Sequence, residues 1–269
     1  MKSLLLASAV VFGLSMSGSA FAADMPLKAP PPYVPYSWTG FYVGLNGGYS
    51  WGNSETTYAI TGLPPVSISQ SMDGWVFGGQ AGYNLQFNRS WLIGVEADLQ
   101  ATGQNGTTPL SGALATVLGT TTVPLVITTT GSLAQKLPWF GTARLRLGFL
   151  PTDRWMVYVT GGLAYGDIET TGNAAVTAVI NGAQLIGSGS AAVSSSVTNV
   201  GWTVGAGSEF VISGPWTAKL EYLYVDLGTV SNTFTGAFTT TVNGAVFPTI
   251  AISSHVTDNI FRGGVNYRF

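Results

Sequence analysis

Residues 91–99 read Trp-Leu-Ile-Gly-Val-Glu-Ala-Asp-Leu. Trp91, Ile93, Val95, Ala97 and Leu99 share one parity, and Leu92, Gly94, Glu96 and Asp98 share the other. A β-strand sends successive side chains to opposite faces, so one face here is wholly apolar and the other carries both carboxylates. With lipid outside and a polar lumen inside, this is the alternation of a membrane-crossing strand.

Seven further segments repeat the pattern. The apolar faces are Phe41/Val43/Leu45/Gly47/Tyr49/Trp51, Trp75/Phe77/Gly79/Ala81/Tyr83/Leu85 and Trp139/Gly141/Ala143/Leu145/Leu147/Phe149. They continue with Trp155/Val157/Val159/Gly161/Leu163/Tyr165, Val200/Trp202/Val204/Ala206/Phe210, Trp216/Ala218/Leu220/Tyr222/Tyr224 and Phe261/Gly263/Val265/Tyr267/Phe269. Eight strands return the chain to its starting side, as an antiparallel closed barrel requires. The expected fold is therefore all-β, an eight-stranded up-and-down transmembrane barrel spanning 38–269.

Connections orient it. Residues 87–90, 150–153 and 213–215 are short and rich in turn formers, and read as periplasmic turns. The stretches near 53–72, 101–136, 168–197 and 229–254 are long, low in charge and rich in Thr, Ser, Ala and Gly. They read as extracellular loops, or as strands continuing beyond the bilayer; sequence leaves both open. Short recurrences such as Gly40–Gly44, Gly74–Gly78 and Gly201–Gly205 have no fixed period, so they reflect shared strand geometry.

Composition agrees. Charged residues are 8% of the chain, against about 25% in ordinary soluble domains. After the N-terminal region no uninterrupted apolar run approaches the roughly 18 residues of a helical span, which leaves the closed barrel as the membrane solution. Lys2, the apolar Leu4–Leu14 stretch and Ala20-Phe21-Ala22 read as a signal peptide over 1–22, cleaved near Ala22. Residues 23–37 hold five prolines and read as a periplasmic linker. There is no cysteine, the net charge is -2, and no basic cluster points to nucleic acid.

Parity assigns the charges. Glu96, Asp98, Arg144, Arg146, Glu209, Lys219, Glu221, Asp258, Arg262 and Arg268 point inward. Asp73, Asp167 and Asp226 carry outward parity at the loop-side strand ends. The inward set is expected to pair, Glu96 and Asp98 with Arg144 and Arg146, and Glu209 with Lys219, because an isolated confined charge is costly. Side-chain filling is favoured over an ion-selective constriction, since eight strands leave an interior just wide enough for side chains. One outward constellation, Ser253, His255 and Asp226, has the residue types of a lipid-side hydrolase. It resembles lipid A deacylases in outline only, and their residue order and flanking motif are absent. No metal cluster or cofactor motif is present; His255 alone offers an axial haem ligand.

The Trp38-Thr39-Gly40-Phe41-Tyr42-Val43-Gly44 opening, the Gly47-Gly48-Tyr49-Ser50-Trp51-Gly52 stretch and the Pro-rich start resemble the small outer-membrane proteins of rhizobia and Brucella, the RopB type of porin-family barrel. The closing Gly263–Phe269 run resembles the signal read by the barrel assembly machinery, with Val265, Tyr267 and Phe269 on one face. The resemblance implies a surface protein linked to envelope integrity, some relatives of which bind haem or host ligands. The expected partners are outer-membrane lipids and lipopolysaccharide, the assembly machinery during insertion, and an extracellular ligand through the loops. A structural and surface role is the first expectation, a narrow channel for small solutes the second, and a lipid-modifying enzyme a distant third.

Overall fold

The computed structural model describes residues 35–60, 65–117, 124–180, 184–235, 237–240, 244–246 and 249–269. The expected signal peptide and most of the linker lie outside the described residues. Ten strands follow in chain order: β1 (Gly40–Ile60), β2 (Val66–Gln86), β3 (Trp91–Val117), β4 (Pro124–Thr152), β5 (Trp155–Ile180), β6 (Gln184–Ser213), β7 (Trp216–Thr235), β8 (Ala237–Thr240), β9 (Gly244–Val246) and β10 (Thr249–Arg268). Each long strand pairs antiparallel with its neighbour in sequence, and β1 meets β10 over Tyr42↔Arg268 to Ile60↔Ile250. That last ladder closes the ring. Eight long strands make the wall; β8 and β9 are short additions on the extracellular stretch of β6.

Exposure follows parity around the cylinder. Leu145 is 69% exposed and Leu163 59%, whereas their inward neighbours Arg144 and Ala164 are buried. The aromatic rims are packed: Trp91 against Phe149, Trp155 stacked on Phe210, and Trp216 against Tyr267 on the short-turn side. On the other rim Trp139 meets Tyr165 and Trp202 meets Tyr224. Rings of this kind settle at headgroup depth.

Strands of 20–30 residues are far longer than the roughly 9–11 residues that cross a bilayer. Much of each strand therefore stands outside the membrane, and the stretches that sequence left between loop and strand are largely strand. β5 and β6 run to Ile180↔Gln184, and β3 and β4 to Val117↔Pro124. Ser, Thr and Ala carry these extensions because a water-facing ladder needs no apolar outer face. The ladder between β2 and β3 ends at Asp73↔Asn105, and that between β6 and β7 at Trp202↔Asp226, near the outer rim.

Two glycines are required by the geometry. Gly40 starts β1 at φ 142, and a Cβ there would lie 2.9 Å from the Phe269 carbonyl oxygen, so only glycine lets the first strand meet the last. Gly82 lies under the Tyr42 ring, whose hydroxyl an added Cβ would overlap.

Candidate functional site

Side chains fill the periplasmic half of the lumen. Glu96 on β3 is the hub. Its carboxylate accepts from Arg144 Nη2 (2.5 Å), Arg146 Nη1 (3.2 Å), Lys219 Nζ (3.1 Å) and the Tyr42 hydroxyl (2.7 Å). Asp98 accepts from Arg144 (2.8 Å), Arg262 (2.7 Å) and Thr142 (2.9 Å). Glu221 accepts from Arg144 (3.0 Å), Arg262 Nε (2.8 Å) and Tyr158 (3.0 Å). Glu209 accepts from Arg146 (3.0 Å), Thr217 (2.6 Å) and Asn266 (3.0 Å). Four carboxylates meet four cations, and each of these charged side chains is 0% exposed.

The partners differ in part from those expected. Glu96 and Asp98 do meet Arg144, and Glu96 meets Arg146. Glu209, however, takes Arg146, while Lys219 reaches across the lumen to Glu96 and also lies near Glu221, two residues along its own strand. Lys219 and Glu209 are register partners, but a long flexible ammonium bridges two carboxylates better than it serves one. Arg146 needs its planar fork where it sits: its guanidinium carbon lies 3.9 Å from the centre of the Tyr158 ring.

Arg268 stands apart. It donates to the Trp38 carbonyl and lies over the Trp38 ring, 5.1 Å from its centre. Trp38, 0% exposed, packs with Leu92, Leu150, Met156 and Tyr158, and its indole N–H donates to the Asp153 carbonyl (2.9 Å). This indole closes the periplasmic mouth. In the sequence Trp38 stands only at the start of the first strand, and its even parity, opposite to Phe41, is the one signal of its inward direction.

The lumen does not stay polar. Above the ion pairs, Met72, Val76, Leu137, Phe140, Ala164, Ile168, Leu223, Val225, Leu227 and Ile260 form one buried cluster. The packed polar core expected from sequence is therefore interrupted by this apolar cluster, while buried Ser50, Gln104, Gln135 and Asp258 continue it on the extracellular side. All of these residues sit on inward-facing positions, where eight strands leave room for one layer of touching side chains.

On the outer face, His255 and Asp226 come together, with Nε2 3.5 Å from Oδ2, and His255 Nδ1 meets the Thr229 hydroxyl at 3.1 Å. Ser253 instead shares a hydrogen bond with Ser231 (3.3 Å). Both imidazole nitrogens are thus engaged away from Ser253, so the three residues do not assemble a nucleophile and its base. At the C-terminus Val265, Tyr267 and Phe269 are exposed on one face, and Tyr267 packs edge-on against Trp216 and Phe269.

The family model for the outer membrane protein beta-barrel domain matches residues 7–269. The chain belongs to this family. A 31 kDa outer-membrane immunogenic protein of Brucella melitensis is 34% identical over 286 residues, covering 100% of both chains. A 22 kDa outer membrane protein of Rhizobium leguminosarum is 28% identical over 192 residues, 71% of this chain and 64% of that one. Among solved structures, Neisserial surface protein A is 12% identical, with a TM-score of 0.35 over 86% of this chain and 98% of its own. The relatives are the alphaproteobacterial barrels that the opening motif resembles.

Proposed function

We propose that this outer-membrane barrel is a non-enzymatic structural and surface protein whose lumen does not conduct. The observation that carries the reading is the filled lumen, where a charge-balanced network with fully buried side chains lies between the Trp38 closure and the apolar cluster. An ion crossing it would have to displace charge pairs and then pass an unhydrated apolar layer, and both steps are costly. Export by a cleaved signal, insertion through the barrel assembly machinery with Val265, Tyr267 and Phe269 as the signal face, and contact with lipopolysaccharide belong to the same proposal. The strand extensions supply the surface for extracellular contacts. The immunogenic naming of the Brucella relatives supports placing such a surface outside the cell.

The test is electrical. Refolded protein in a planar bilayer is expected to give a flat current trace over the usual voltage range. Stable, ohmic unitary steps would instead establish a channel and end this reading.

A further inference from the structure

One carboxylate of the lumen is outside the charge-balanced network. Asp258 on β10 is 2% exposed, and none of the ion pairs among the described residues includes it. Its Oδ2 accepts from the Gln104 amide, which also reaches the Ser50 hydroxyl; its Oδ1 has no hydrogen-bond partner. Gly52 is its register partner on β1 and brings no side chain against that oxygen. A Cβ built on Gly52 would lie 3.1 Å from Oδ1, 2.7 Å from the Thr257 carbonyl oxygen and 3.4 Å from that of Met72.

A second group of buried polar side chains lies on the extracellular side of this point. Thr56, Ser254 and Gln135 are linked by hydrogen bonds of 2.9 and 3.0 Å, with Ser54 beside Thr56. Gln70, 4% exposed, has neither amide atom partnered, and Gln135 Oε1 is also without one. On the periplasmic side of Asp258 lie Val76, Phe140, Leu223 and Ile260. Val256 of the same cluster lies on its extracellular side, so Asp258 sits among mixed apolar and polar side chains as a carboxylate with no cationic partner among the described residues.

We infer that the extracellular half of the lumen binds a small hard metal cation at Asp258, with the Ser50 hydroxyl and the main-chain oxygens beside Gly52 completing the donor set. The chemistry follows from the atoms. A buried carboxylate remains ionised only beside a countercharge, and each Lys and Arg of the network below is held by another carboxylate. The donors are all oxygen, and Gln104 brings its own amide oxygen to the same place by a simple flip. Oxygen-only sets select calcium-like or alkali cations over transition metals. A single carboxylate sets weak affinity, with half-saturation at roughly 10⁻⁴–10⁻³ M calcium.

The experiment uses the full-length chain refolded into zwitterionic phosphatidylcholine vesicles. Its thermal unfolding midpoint is followed as calcium chloride is added, with choline chloride matching ionic strength. A saturable rise is expected for the wild type, no rise for Asp258→Asn, and a several-fold weaker half-effect for Ser50→Ala. Terbium luminescence that calcium displaces from the wild type would support the site even if Asp258→Asn failed to fold. Three results would overturn it: a wild-type midpoint indifferent to calcium and sodium, the same calcium response in Asp258→Asn, or a midpoint that moves with acid alone. The last would assign a proton to Asp258 instead of a metal.

Discussion

Below Gln100 the lumen is held by Glu96, Asp98, Glu209 and Glu221 against Arg144, Arg146, Lys219 and Arg262. At and above it, Val76, Phe140, Leu223, Val225 and Ile260 meet as an apolar cluster, with buried Ser50, Gln104 and Asp258 on the same side of the lumen. The same wall encloses both, and both leave their central side chains almost unexposed to water. They should fail differently. An ion network is sensitive to the identity of each partner, because a removed charge strands its neighbours in a water-poor interior. An apolar layer responds to volume, in proportion to the cavity created.

The sharpest contrast is at the hub. Glu96→Gln keeps the size but leaves three cations sharing the remaining carboxylates, and a loss of about 3–5 kcal/mol in unfolding free energy is expected. Urea titration in lipid vesicles, read by tryptophan fluorescence, measures it. Adding Lys219→Met restores charge balance and should recover much of that loss. If the double variant is as unstable as the single one, the lower half is not governed by charge balance.

Parity comes next in size. Leu145 faces lipid between two inward arginines, so Leu145→Arg places a charge near mid-bilayer and should cost about 2–4 kcal/mol in the same titration. A neutral result would mean that this strand face does not meet acyl chains. The smallest effect belongs to the upper layer. Ile260→Val removes one methylene from a side chain that is 0% exposed, for an expected loss of about 0.5–1.5 kcal/mol. A loss matching that of Glu96→Gln would erase the distinction between the two halves.

Much of this architecture can be read from alternation alone. Glu96 and Asp98 between Val95, Ala97 and Leu99 fix their own direction, because period two has only two faces. The partners are harder. Parity tells Lys219 to point inward, but not that it crosses the lumen to Glu96, since that depends on side-chain reach and on barrel curvature. The apolar cap rests on inward Val76, Phe140, Leu223 and Ile260, whose parity shows direction but not that they gather into one layer. The long extensions stayed ambiguous for a physical reason. When both faces of a strand are Thr, Ser, Ala and Gly, as over much of residues 170–198, alternation has little contrast and strand and loop look alike.

The absence of cysteine from the chain allows a direct measurement of whether the lumen is closed. Thr142, 0% exposed, donates to Asp98 beside the ion pairs and is two residues from Phe140, so it lies between the two halves. Thr142→Cys in sealed vesicles should resist a membrane-impermeant maleimide added to either side, and label fully only after unfolding. Rapid labelling of the folded barrel from one or both sides would show that water reaches the centre of the lumen, and a closed structural barrel would be the wrong description.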